Sequence, residues 1–491
     1  MKDFKLIRVL KKLSDKELEK LVLFINSPYF DFNSKTTNFF AKLLSILNAT
    51  PIDFNLLWQG CFVDKYTDQR LSKMLFQCLQ IVEKFLAIEH FQSDEIKTEK
   101  ELLNAAIDKN LIELIPKSLK SLQKLLNESQ TLTFEYYSNR YELFNLYYNL
   151  PGGFDRKIAI KKNKDSSEFL LKADRILNEI FLSEKLRLAH LLENDNSVSN
   201  KKDKLTFIDE VFNFAKNTAR KGSKPHFYLQ LYALSKADNK LEEVKKLHKY
   251  VSKRSKIFSN LEFRNILFTL LNEAIRISNL TKTEAYFVTF DLYQIGLKND
   301  TFLVNSELLP DTFRNVVFNA CKLKEFDWAL DFIDQYQEKL NPKYQKTAVS
   351  FNKAIVFRSM GNYNKVIELL IHVEYEDLGY NIRSKLMLLI SYFELNEFDT
   401  LDSLIKSFNV FLRRKTAIPT ARKSSFLNFN TTLQNIVRVK ERRDKVKLKS
   451  IRAKLESKMI ARNKSWLLEK VEELEKEMGV VRREGSRQSA V

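Results

Sequence analysis

The chain has 491 residues, of which 44% are hydrophobic and 29% are charged, and its formal net charge is +20. This balance excludes an intrinsically disordered chain. Only 9 glycines and 8 prolines are present, which argues against turn-rich sheets and loop-built active sites. We therefore expect an all-α fold of long helices joined by short polar connections.

Membrane and secretion signals are missing from the sequence. No run approaches eighteen consecutive apolar residues, so no transmembrane helix is expected. The apolar run near Met1 is broken by Arg8 and is not followed by a cleavage site, so we do not expect a signal peptide. Cys61, Cys78 and Cys321 fit neither a zinc pattern nor a disulfide framework. We expect a cytoplasmic protein with no membrane partner.

Residues 1–95 are predicted to form an N-terminal helical domain of about five helices. Ser14 and Glu17 form a capping-box pattern before an apolar run at helical spacing. Asn33 is placed to cap the helix that follows, and a further helix is expected over 68–91.

Residues 96–225 are predicted to be a helical region with loops near 151–167 and 193–204. The expected helices cover 99–109, 111–128, 133–150, 168–192 and 205–219. Pro151-Gly152-Gly153 is the clearest break in the chain, and 193–204 is the strongest candidate for an exposed, mobile connection.

Residues 226–412 show a regular pairing of helices with short turns, which makes neighbouring helices antiparallel. Three turns share a polar residue followed by an aromatic one at Phe326, Tyr363 and Phe398, which are 37 and 35 residues apart. A period near 35 indicates one helix pair used repeatedly. The expected pairs are 226–237 with 241–253, 259–277 with 281–297, 311–323 with 326–340, 344–359 with 363–374, and 380–395 with 398–412.

This pattern resembles tetratricopeptide repeats (TPRs). In the unit at 343–378, Ala354 stands at the small position of the first helix, Gly361 at the turn and Tyr363 at the aromatic position, while Val366 replaces the usual alanine. In the unit before it, Ala329 occupies that alanine position and Pro342 closes the second helix. The resemblance implies a TPR-like α-solenoid with a concave binding face, and it implies no catalysis.

Two other strings resemble a group of uncharacterised bacterial helical proteins. They are Ser27-Pro-Tyr-Phe30 and Trp466-Leu-Leu-Glu-Lys470. Such a resemblance supplies no function.

Residues 413–479 are predicted to be a basic helical segment, followed by a disordered tail at 480–491. Between Arg413 and Lys464 there are seventeen Lys or Arg against three acids. Over 438–478 we expect one or two long helices, including a long basic C-terminal helix with an apolar stripe. The members of the stripe are Leu448, Ile451, Leu455, Met459, Leu467, Val471, Leu474 and Met478.

No pattern in the sequence identifies a reaction. There is no phosphate-binding glycine loop, no pair of histidines at helical spacing and no nucleophile motif. We therefore predict that the protein is not an enzyme and has no catalytic, cofactor-binding or metal-ligating residues.

The leading hypothesis is a non-catalytic protein–protein interaction scaffold, whose partner and oligomeric state the sequence does not specify. The alternative is a protein associated with RNA or DNA through its basic C-terminal segment. An enzyme with an unrecognised helical active site stays open as a third hypothesis. The candidate contacts to an anionic partner are Arg413, Arg414, Arg438, Lys440, Arg442, Arg443, Lys445, Lys447, Lys449 and Arg452.

Overall fold

The computed structural model describes residues 4–48, 51–149, 167–199, 201–278, 284–372, 377–457 and 461–479. These residues are almost entirely helical, which confirms the all-α prediction. Their only sheet is an antiparallel hairpin of β1 (Leu303–Val304) and β2 (Glu307–Leu308). Its two-residue turn, Asn305-Ser306, has positive φ at both positions, as a tight hairpin requires.

Nine α-helices lie among the described residues before 200. They are α1 (Lys5–Leu10), α2 (Asp15–Ile25), α3 (Ser34–Ser45), α4 (Phe54–Gln59), α5 (Asp68–Gln92), α6 (Glu95–Asp108), α7 (Ile115–Glu128), α8 (Phe134–Asn149) and α9 (Ser167–Ser199). The predicted capping box is present, since the Ser14 hydroxyl accepts from the Glu17 N–H and the Glu17 carboxylate accepts from the Ser14 N–H. Asn33 caps α3 as expected. These helices therefore begin where local side chains satisfy their free N–H groups.

Fourteen helices follow among the described residues beyond 200. They are α10 (Ile208–Thr218), α11 (Lys224–Ala233), α12 (Lys240–Arg254), α13 (Asn260–Ser278), α14 (Glu284–Lys298), α15 (Pro310–Lys322), α16 (Phe326–Tyr336), α17 (Pro342–Ser359), α18 (Tyr363–Leu370), α19 (Leu378–Glu394), α20 (Phe398–Arg414), α21 (Thr420–Arg442), α22 (Lys445–Glu456) and α23 (Lys464–Glu477).

The chain divides into two compact units. One contains Met1–Leu188 and Leu205–Val211, and the other contains Ala189–Lys204 and Phe212–Val491. The core of the first unit includes a cluster that runs from Leu6 to Phe85. In the second unit, a single cluster of buried side chains joins α17–α20 to the three C-terminal helices.

The three aromatic strings all fold into the same turn. Lys324, Gly361 and Asn396 adopt positive φ of 64°, 78° and 57°. The next residue in each case donates its N–H to the carbonyl five positions earlier, in the bonds Glu325 to Ala320, Asn362 to Phe357 and Glu397 to Tyr392. This is the Schellman ending of a helix, and the aromatic residue then begins the next one. Each of the three aromatic side chains is half-buried.

Some helices also pack against the next helix but one in the chain. Helix α17 contacts both α15 and α19, while α16 and α18 connect the three helices in sequence. Such alternation brings the side chains of α15, α17 and α19 onto a shared face.

Among the described residues of 438–478, where one or two long helices are expected, the structure has the end of α21 followed by two shorter helices, and no single long basic helix. The chain turns at Arg443, whose φ is 52°, and Asp444 caps α22 through the Lys447 N–H. The described residues beyond Arg443 therefore form two shorter helices, α22 and α23, which pack on each other and on α21. Six members of the apolar stripe are buried, namely Leu448, Ile451, Leu455, Leu467, Val471 and Leu474. Met478 is half-buried, and Met459 lies outside the described residues.

One predicted loop is corrected. Residues 193–199 continue α9 instead of forming a mobile connection, and the Asn196 side chain bonds the backbone of Asp203 beyond the helix end. The predicted loop at 151–167 lies outside the described residues apart from Ser167, which begins α9. The predicted tail at 480–491 also lies outside them.

Candidate functional site

A groove of about 800 Å³ lies in the second unit, between α15, α17, α19 and the start of α23. Its wall is strongly cationic although residues 301–400 carry a net charge of −3. The lining cations are Arg314, Lys322, Lys324, Arg358, Arg383, Arg462 and Lys470, and the lining acids are Glu394 and Glu469. We call this cavity the arginine groove.

Two arginines of the groove have no carboxylate partner. The side chains of Arg358 on α17 and Arg383 on α19 make neither a hydrogen bond nor an ion pair with any residue that the structure describes. Burial lowers the pKa of both guanidinium groups from its ordinary value. A half-buried, unpaired cation is unfavourable in the free protein, so an incoming anion would gain a charge-assisted bond at little extra desolvation cost.

Arg383 stands at a cationic end of the groove. Its guanidinium feels the positive charges of Arg314 and Arg422 and the negative charge of Asp311. Asp311 is already engaged, because its carboxylate accepts from Arg314 at 2.6 Å. Asp377 also lies near Arg383, and its carboxylate accepts from the Tyr380 N–H at 2.7 Å. Arg383, Arg314 and Arg422 together still outnumber Asp311 and Asp377 at this end.

The opposite end, near Arg358, is closed by α23. The Glu394 carboxylate accepts from Trp466 Nε1 at 2.9 Å and pairs with Lys470 Nζ at 3.0 Å. Burial disfavours the charged form of Lys470, but its bonds to Glu473 and Glu394 outweigh this and raise its pKa. Because Glu394 is held by these two groups, Arg358 stays unpaired although Glu394 lies near enough to act on it electrostatically.

Between the two ends the groove is apolar. Phe318 of α15 is 49% exposed, and it faces a floor that includes Ile355, Met387 and Ile390. An exposed phenylalanine beside buried and half-buried apolar side chains is a typical contact surface for an apolar ligand group.

The cations predicted from the sequence lie elsewhere, on α20–α22. Seven of them are exposed, namely Arg413, Arg414, Arg438, Arg442, Arg443, Lys445 and Lys449. Lys447 is half-buried. Lys440 donates to Asn396 Oδ1 at 2.7 Å and lies over the rings of Phe393 and Phe398. Lys440 therefore links α21 to the turn that precedes α20.

Arg452 serves a structural contact. Its Nε and Nη2 donate to the two carboxylate oxygens of Glu475 at 2.8 and 2.6 Å, and its Nη1 donates to Glu456 at 3.1 Å. The Glu475 side chain is only 7% exposed. This bidentate pair locks α22 to α23 and raises the pKa of Arg452.

The groove arginines were missed because they are scattered among apolar residues on two helices. One signal was present: neither Arg358 nor Arg383 has an acid three or four positions away in the sequence. An arginine inside an apolar helix without such a neighbour lacks the usual local ion pair.

Other sites are not apparent in the described part of the chain. It contains no cluster of three or more His, Cys, Asp or Glu side chains suited to a metal ion. None of its helices combines the length and apolar character needed to span a membrane. Comparisons with protein-family models, curated proteins and solved structures find no match.

Proposed function

We propose that this chain is a non-catalytic scaffold for protein–protein interaction, built on TPR-like repeats over about 226–412, and that the arginine groove receives the partner. The observation that carries the proposal is the groove itself, with unpaired Arg358 and Arg383 on either side of exposed Phe318. The identical turns at Lys324, Gly361 and Asn396 support the repeat assignment. The free thiols Cys61, Cys78 and Cys321 support a cytoplasmic location.

The proposal is tested by site-specific photo-crosslinking in cells. Phe318 is replaced by a photoreactive phenylalanine analogue, and Phe76 of α5 is replaced in the same way as a matched control. Phe76 is 58% exposed and lies in the other compact unit. We expect protein adducts from position 318 that are absent from position 76.

The adduct at 318 should weaken when Arg358→Gln or Arg383→Gln is added to the same protein. An absence of adducts at 318, or equal adducts at 318 and 76, would contradict the proposal.

A second candidate function is association with RNA or DNA through the C-terminal helices. Its supporting observation is the set of exposed cations on α20–α22. Arg413, Arg414, Arg442 and Arg443 make no ion pair with the described residues. Replacing side chains that contact phosphate groups should reduce both the affinity for nucleic acid and the dependence of that affinity on salt concentration.

The experiment compares binding to generic RNA and duplex DNA across salt concentrations. One variant replaces Arg442, Arg443 and Lys445 with Gln, and its control replaces Lys35, Lys73 and Lys117, which are exposed cations of the first unit. If these cations bind nucleic acid, the slope of log affinity against log salt concentration should become shallower for the first variant alone. Equal slopes for both variants would remove this second function.

A further inference from the structure

The two unpaired arginines mark opposite ends of the arginine groove. Tyr380, at the start of α19, packs against Phe351 with ring centroids 4.8 Å apart, and its hydroxyl donates to the Pro310 carbonyl at 3.2 Å. The starts of α15 and α19 are therefore level with each other. Arg383 lies near this end, whereas Arg358 lies near the end of α19, where it feels the charge of Glu394.

The distance between these ends follows from helix geometry. Arg383 and Glu394 are eleven residues apart on α19, which at 1.5 Å per residue corresponds to about 16 Å. An extended peptide advances about 3.3 Å per residue, so about five residues span this distance. Phe318 and Ile355 line the interval between the ends and offer it an apolar contact.

We propose that the groove holds an extended segment of a protein partner that carries two acidic side chains about five residues apart, with apolar residues between them. One carboxylate binds Arg383 beside Arg314, and the other binds Arg358. The apolar side chain between them packs on Phe318. This inference rests on the proposed scaffold function and specifies the chemistry of its partner.

Other occupants fit the groove less well. A nucleic acid strand carries a charge at every nucleotide, about 3.4 Å apart along the helix axis in DNA, and it would meet Glu394 and Glu469 at one end of the groove. The chain's own residues 480–491 carry three arginines and one glutamate, so their charge repels the groove. A segment with two separated carboxylates matches both the cations and the apolar interval.

The test uses synthetic ten-residue peptides labelled with fluorescein. Two Asp residues are placed two to eight positions apart on either side of Leu, Ile or Phe in a Ser/Gly background, and binding to the full chain is followed by anisotropy. We expect affinity to peak at a separation of about four to six residues. Arg358→Gln and Arg383→Gln should each weaken the best peptide about tenfold, since each removes one charge-assisted contact.

Two controls keep the result interpretable. Lys73→Gln, at an exposed cation of α5 in the other compact unit, should leave peptide binding unchanged. The groove variants should melt no lower than the wild type, because each removes an unpaired cation. Loss of binding in a variant that remains folded therefore reports on the groove.

A flat dependence on Asp separation, an absence of peptide binding, or binding unaffected by both groove substitutions would overturn the inference. Displacement of the peptide by single-stranded RNA, with RNA binding that itself requires Arg358 and Arg383, would overturn it in favour of a nucleic-acid ligand. Adducts at position 318 in cells together with a flat peptide profile would reject the acidic motif while the scaffold function stands.

Discussion

Arg452 is one of the cations that the sequence predicts to contact an anionic partner, but in the structure it joins α22 to α23. Replacing it tests whether its role is to stabilise the fold. Replacing it with Gln leaves the Glu475 carboxylate, whose side chain is 7% exposed, without its bidentate partner. Removing one member of a fully buried pair costs about 3–5 kcal/mol. The Arg452 side chain is 22% exposed, so water relieves part of this cost and we expect about 2–3 kcal/mol.

The loss is measured by urea denaturation combined with pulsed hydrogen exchange of residues 464–477. A local readout is needed because the chain has two compact units and need not unfold in one step. With a urea slope of about 2 kcal/mol per molar, the midpoint for α23 should fall by about 1 M. The matched control is Lys449→Gln on the same helix, which should change stability by less than about 0.5 kcal/mol.

The double variant Arg452→Met with Glu475→Met separates the charge effect from lost packing. Replacing both members of a buried pair with apolar groups is often neutral, so the double variant should recover most of the stability. The reasoning is refuted if Arg452→Gln behaves like Lys449→Gln, or if the double variant is as unstable as the single one.

Three further predictions concern packing, protonation and thiol reactivity. Gly296→Ala should cost about 1–3 kcal/mol or more in urea unfolding, because the new Cβ would lie 2.1 Å from the Phe302 ring; a midpoint like that of the wild type would contradict this. Burial lowers the pKa of His190 to about 4, so as pH falls the unfolded chain takes up a proton on this histidine before the folded chain does. The free energy of unfolding should therefore fall by up to about 3 kcal/mol between pH 6.5 and pH 4. If His190→Gln shows the same pH dependence as the wild type, His190 is not the cause of this loss. Burial raises the pKa of Cys78 to about 12 and of Cys321 to about 11. A thiol reagent at pH 8 should therefore modify at most Cys61 while the protein is folded. Rapid modification of two or more thiols would contradict the burial of Cys78 and Cys321.

The repeated turns show which helix boundaries the local sequence can predict. The strings at Phe326, Tyr363 and Phe398 predicted helix boundaries to within a few residues, because a helix end needs a residue that tolerates positive φ and a side chain that satisfies free N–H groups. The loop predicted at 193–204 was wrong over 193–199, because polar composition alone does not end a helix and α9 continues to Ser199. Residues 201–204 are irregular and exposed, as predicted.

The amino-acid sequence by itself determined the helical class, the pairing of helices after residue 226 and the apolar stripe through Leu448 and Val471. These features depend on spacing within one or two turns of a helix, which a linear sequence records directly. It also fixed the basic character of the C-terminal segment.

Only the tertiary structure decided which charges are free. Arg358 and Arg383 line the same groove because α17 and α19 pack side by side. Arg452 is paired because α23 packs on α22 and brings Glu475 to it. A charge acts according to its neighbours in space and its exposure to water, and both arise from packing between residues far apart in the chain.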